Sequence, residues 1–175
     1  MGAFLKCMKT LKSFIAILSI VIAATLVASA QVNLSSLDGS KINVEGQTGK
    51  VVVLAIGASW LPLSDKQAEF SNALAKKYSG KDVVVYFVAT DSTNVKSKNF
   101  ATNDAIRKFA TDNKLNAVVL RDSDGATILK KFNVEQVPSF VILDKSGKLA
   151  GLPFGGIDPK YDVTIPISKA IDKLL

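Results

Sequence analysis

Histidine does not occur in the 175 residues, and cysteine occurs once, as Cys7. Without a histidine or a second cysteine, zinc, copper, haem and iron–sulfur centres lose their usual ligands, so no metal and no cofactor is expected. Ser-His-Asp and Cys-His catalysis are excluded for the same reason. A disulfide within the chain is excluded too, because it needs two cysteines. Cys7 precedes the apolar stretch Phe14 to Val27, whereas a lipid-bearing cysteine would stand at the end of it. That stretch is shorter than the ~20 residues a membrane-spanning helix requires. Lys6, Lys9 and Lys12 lie ahead of it with no acidic residue, and Ala28-Ser29-Ala30 follows. A positive head, a short apolar middle and a small-x-small exit are the parts of a secretory signal peptide. Residues 1–30 are therefore expected to be a signal peptide cleaved after Ala30, and residues 31–175 a single domain that is periplasmic or secreted. Membrane attachment is expected only if the leader stays uncleaved.

Charge of one sign is also scarce. The formal net charge is +7, but three of the 22 basic residues and none of the 15 acidic ones lie in residues 1–30, so residues 31–175 carry +4. The signs are interleaved, as on an ordinary solvated surface. Basic pairs such as Lys76-Lys77, Arg107-Lys108 and Lys130-Lys131 are each followed by one aromatic residue, which helical spacing assigns to a core face. Nucleic acid is not an expected partner. Asp122-Ser123-Asp124-Gly125 has too few acidic ligands for calcium and reads as a solvated turn.

Hydrophobic periodicity orders the remaining chain. Val32–Leu34 and Lys41–Val44 flank the turn Leu37-Asp38-Gly39-Ser40, which predicts a hairpin. Val51–Ile56 and Val83–Val88 are continuous apolar runs rich in β-branched residues, the pattern of strands buried on both faces. Between them, Phe70, Leu74 and Tyr78, widened by Ala73, form one face of a predicted helix over Asp65–Tyr78, with Ser64 and Gln67 as its capping box. Ala105, Ile106, Phe109 and Ala110 predict a second helix, and Ala117–Leu120 a short strand. A helical stretch bearing Ile128, Leu129 and Phe132 follows. The strand Ser139–Leu143 then turns through Asp144-Lys145-Ser146-Gly147 into a strand over Lys148–Leu152, and a helix over Thr164–Leu175 ends the chain. This alternation predicts a three-layer α/β/α sandwich around a central mixed sheet, with an N-terminal β-hairpin.

Three segments stand out in that frame: Gly49–Leu54 leading to Ala58-Ser59-Trp60, the run Phe132–Asp144 containing Val137-Pro138, and Lys145-Ser146-Gly147-Lys148 leading to the last strand and helix. Together they resemble the exported thioredoxin-like proteins of the TlpA type and the AhpC/TSA-type redoxins, over nearly all of residues 31–175. In those families a Trp-Cys-x-x-Cys turn faces a cis-proline. The resemblance implies that Pro138 is cis, that Val137 offers backbone groups to an extended peptide, and that the activity is thiol–disulfide exchange.

The chain departs from that pattern at the reacting atoms. Leu61 and Ser64 stand at the two cysteine positions, and Ala55 stands where thioredoxins often carry a buried acid. A cysteine at a helix N-terminus is activated as a thiolate by unpaired N–H groups and the helix dipole; leucine has nothing to ionise, and a serine without a histidine base is a weak nucleophile. A Thr-x-x-Cys peroxidatic site and the two-cysteine-plus-histidine copper site are equally absent. The candidate site is a peptide-binding groove of Trp60, Leu61, Pro62, Leu63, Ser64, Val137 and Pro138, whose partner is a protein or an extended peptide. Leu61 and Leu63 have two open placements, an exposed apolar lip or the core. The expected function is that of an exported binding or structural module without thiol–disulfide chemistry, the alternative being a redoxin with a residual or partner-supplied redox role.

Overall fold

A computed structural model describes residues 31–175. The expected signal peptide and Cys7 lie outside the described residues.

The central strand β3, Val51–Gly57, is buried along its whole length. Side chains alternate across a strand, so Val51, Val53 and Ala55 enter one core while Val52, Leu54 and Ile56 enter the other. This two-sided burial explains why the segment shows no polar alternation. On one flank β3 pairs in parallel with β4, Val83–Ala89, which pairs in parallel with β5, Val118–Arg121. On the other flank β6, Ser139–Leu143, runs antiparallel, with Ile56 opposite Ser139. The hairpin of β1, Asn33–Ser36, and β2, Lys41–Asn43, joins the same sheet, because β1 pairs antiparallel with β5. With β7, Phe154–Gly155, on β6, the seven strands take the order β2-β1-β5-β4-β3-β6-β7 in one mixed sheet.

One face is covered by α1, Ser64–Lys77, α2, Asn103–Asp112, and α4, Thr164–Asp172, through residues such as Phe70, Leu74, Ile106, Phe109, Ile167 and Ile171. The opposite layer is thinner. It consists of a 3-10 turn, Ser123–Gly125, the single-turn helix α3, Ile128–Lys131, and apolar residues of the hairpin region including Val32, Leu34 and Val44. Fully buried side chains such as Leu54, Phe87 and Phe140 each contribute roughly 1.5–3 kcal/mol of transfer free energy. The architecture is the α/β/α sandwich read from the sequence.

Four local readings change. Ala73 and Ala105 are exposed; the buried stripe of α1 includes Gln67, Ala68 and Ser71 instead. The final strand is not Lys148–Leu152. A bridge at Leu149 and hydrogen bonds from the Asp144 amide to the Lys148 carbonyl and from the Ala150 amide to the Ile142 carbonyl (each 2.8 Å) continue the pairing without forming a regular strand. Gly151 then turns the chain at φ 93°, and regular pairing resumes at Phe154–Gly155. Asp122 is not in a solvated turn: it is buried, and its carboxylate accepts the amides of Thr127 (2.9 Å) and Ile128 (2.7 Å), satisfying donors at the start of α3. The capping box fails as well, for reasons that belong to the site.

Candidate functional site

Strand β3 ends at Gly57, and the chain then makes two tight turns before α1. The Leu61 amide donates to the Ala58 carbonyl (3.2 Å), and the Ser64 amide to the Leu61 carbonyl (3.2 Å). In the second turn Pro62 holds the first corner and Leu63 the second, at φ 69° and ψ 6°. Proline followed by a left-handed residue is the type II arrangement, whose second corner normally requires glycine. A left-handed conformation costs a leucine about 1–2 kcal/mol, and 37% of the surface of Leu63 remains exposed. Trp60 is 49% exposed, Pro62 is exposed and Leu61 is half-buried. The two leucines thus differ in placement: Leu63 is exposed at the turn's second corner and Leu61 is half-buried.

Ser64 and Gln67 point the other way. Leu63, not Ser64, occupies the N-cap position of α1, and no side chain caps this end. The Ser64 hydroxyl is buried and donates to the Ala58 carbonyl. Gln67 is fully buried, and its Nε2 donates to the carbonyls of Ile56 and Ser139, each at 3.0 Å. The helix start is anchored inward on strand ends, and this removes both residues from the capping box. Gly57 is needed beneath: a Cβ there would collide with Gln67 Oε1.

The same amide brings the two halves of the candidate groove together. Because β3 and β6 are antiparallel with Ile56 opposite Ser139, Val137-Pro138 adjoins Gly57 and the turn that follows it. The Val137–Pro138 peptide is cis. Pro138 is buried and Val137 half-buried.

Sequence reasoning missed the carboxylate under this turn. Asp91, just beyond β4, is fully buried. It accepts the Ser59 amide at 3.2 and 3.1 Å and the Ser59 hydroxyl at 2.6 Å. Ala55 indeed supplies no acid, but Asp91 sets one against the residue preceding Trp60. Arg121 fixes the neighbouring loop, donating to the carbonyls of Ser92 (2.9 Å) and Ala101 and to Asn103 Oδ1. The available signal was positional: Asp91 follows the carboxyl end of a parallel strand, where α/β sheets gather their sites.

Chemically, the arrangement holds an apolar, half-solvated surface above a layer of buried polar contacts, in which Gln67 Oε1 and the Ser139 hydroxyl have no hydrogen-bond partner among the described residues. Residues 31–175 contain no thiol. Among the described residues no group of three or more His, Cys, Asp or Glu side chains is arranged to hold a metal ion, and no helix is long and apolar enough to cross a membrane.

Comparison with known proteins places this geometry. The profile of the Redoxin family matches residues 23–163. Thiol-disulfide oxidoreductase ResA of Bacillus thuringiensis subsp. konkukian is 28% identical over 115 residues, 66% of this chain and 61% of that protein. The chain thus spans under two thirds of the length of that relative. Among solved structures, a thioredoxin-like protein from Aeropyrum pernix superposes with a TM-score of 0.67 at 21% identity, covering 89% of this chain and 96% of that one. The exposed lipoprotein thioredoxin of Streptococcus pneumoniae gives a TM-score of 0.65 at 24% identity, covering 83% of this chain and 100% of that one. With its mixed seven-stranded sheet and the profile match over most of its length, the chain belongs to the Redoxin family and has a thioredoxin-like fold.

Proposed function

We propose that this protein binds an extended peptide or protein segment at the lip formed by Trp60, Leu61, Pro62 and Leu63, beside the backbone of Val137-Pro138, without thiol–disulfide chemistry of its own. One observation carries the reading: Leu63 is held left-handed at the second corner of a type II turn with 37% of its surface exposed. Glycine would relieve the backbone and a polar residue would hydrate better, so an apolar residue is best explained by a partner that covers it. Val137 is half-buried, and backbone pairing there would hold an extended chain. With no thiol in residues 31–175, electron-pair exchange has no atom to pass through.

A second reading takes its support from the family. The relative from Bacillus thuringiensis is named a thiol-disulfide oxidoreductase, and a thiol supplied by a partner would let this chain serve in such an exchange. On either reading we propose an exported protein, consistent with the leader and with the similarity to an exposed lipoprotein thioredoxin.

Trp60 is the sole tryptophan and lies in the lip, so intrinsic fluorescence reports occupancy directly. A panel of extended peptides is expected to shift its emission to the blue, and Leu63→Asp to weaken the best binder about tenfold, the effect of losing about 1.4 kcal/mol of apolar contact. Peptides that leave the emission unchanged would refute binding at the lip. Insulin reduction by the purified protein above a no-protein control would refute the absence of thiol chemistry.

A further inference from the structure

Beside Val137-Pro138 a cleft of about 470 Å³ opens between residues 133–136 and the β7 region. This volume lies in the range of ligand pockets. Ser139 lines the cleft and is fully buried, and its hydroxyl has no hydrogen-bond partner among the described residues. Alternation along β6 fixes its direction. Phe140 and Ile142 enter the α1 core while Val141 and Leu143 enter the α3 core, so the Ser139 side chain faces the α3 side, where the cleft opens. An orphaned buried hydroxyl is rare and costs about 1–3 kcal/mol unless something meets it.

The other polar groups at the rim are the carboxylate of Glu135 and the amides of Asn133 and Gln136. Among the described residues Glu135 is the only charged side chain lining the cleft, and it has no ion-pair partner among them. Gly155 gives the Gln136 amide its room, since a Cβ there would fall 2.8 Å from Gln136 Nε2. The apolar walls are Val134 and Leu152, the latter 83% exposed. One unpaired negative charge, several acceptors and two apolar walls match a side chain with a methylene stem and a cationic, hydrogen-donating head.

We infer that this cleft is a side-chain pocket for a basic residue, arginine or lysine, of the extended peptide held at the lip. The inference rests on the peptide-binding reading of the lip, and the pocket sets which peptides bind there. The stem lies between Val134 and Leu152, the head reaches Glu135, and the Ser139 hydroxyl gains its partner.

The test is an amide NMR titration of the purified protein with N-acetyl-arginine amide and with its neutral isostere, N-acetyl-citrulline amide. The arginine probe is expected to shift the amides of Glu135, Gln136, Ser139 and Gly155. It should bind about three- to fivefold more tightly than citrulline, as suits an exposed carboxylate. Glu135→Gln should abolish that difference. Ser139→Ala should weaken the arginine probe without lowering Tm, because the hydroxyl it removes has no partner among the described residues. Leu63→Asp should leave the probe's shifts intact. Absence of shifts at these amides, or equal affinity for the two probes, overturns the pocket. If the probe binds as described while no peptide moves Trp60 emission, the pocket stands and the lip reading fails. If peptides bind with no preference for a basic residue, the lip stands and the pocket fails.

Discussion

At Gln67 a single amide joins three parts of the chain: the helix it belongs to, the end of β3 and the start of β6, the last of these 72 residues away in sequence. Both of its contacts are buried, so Gln67→Leu strands two carbonyl oxygens. A loss of about 2 kcal/mol is expected, read as a lower urea midpoint with an unchanged m-value; an unaltered midpoint would mean that the strand ends hold themselves. The sequence presents Ser64 and Gln67 at capping-box spacing, and local pattern cannot tell a cap from two side chains turned into the protein. That distinction depends on a strand end contributed from far along the chain. Pro62 was the legible half of the type II turn. Leu63 carried no such signal, because the residue type expected at its φ is glycine. Asp91 showed its position at a strand end but not its role, for a related reason: its partner, Ser59, lies 32 residues earlier, and only the sheet brings them together.

Among the elements, the long buried strands β3 and β4 were readable to within a residue because two-sided burial writes itself as an unbroken apolar run. The short ones were not. Two-residue β7 is set by where Gly151 redirects the chain, and apolar residues at 149 and 152 pointed to a longer strand in the wrong place. Helix α4 is tied to the end of α1 through Tyr78, whose buried hydroxyl lies 3.1 Å from the Ser168 carbonyl and 2.8 Å from Asp172 Oδ1. Burial foremost, with the Asp172 carboxylate adding to it, raises the phenol's pKa above its ordinary value near 10. The neutral form is thus the one the fold favours. Its contribution is complete below the unfolded pKa, about 10, and disappears as pH climbs through the higher folded value. Tyr78→Phe is expected to lower stability by about 1 kcal/mol at neutral pH and to flatten the alkaline limb of the stability–pH curve. An alkaline limb identical to that of the unmodified protein would assign the pH dependence elsewhere, with Tyr86, also raised by burial, the next group to test.

For the whole molecule, the turn at Leu61–Ser64 decides whether a disulfide could be built into residues 31–175, which contain no thiol. The hydrogen bond from the Ser64 amide to the Leu61 carbonyl closes a four-residue turn, which brings the end Cα atoms within about 7 Å, close to the span of a disulfide. Leu61 is half-buried and Ser64 buried, so cysteines at these positions would lie one near the surface and one beneath it. The variant Leu61→Cys/Ser64→Cys is expected to lose its free thiols on mild oxidation and to reduce insulin, in contrast to the expectation for the unmodified protein. An oxidised variant that keeps both thiols would show that the turn has drifted from a bridgeable geometry. The outermost strands bear on how such a molecule behaves at high concentration. β2 has three residues and β7 two, too little unpaired backbone to template another sheet. On the proposed peptide-binding reading such a molecule runs the risk of capturing its own copies edge to edge, and margins this short offer those copies little backbone to pair with.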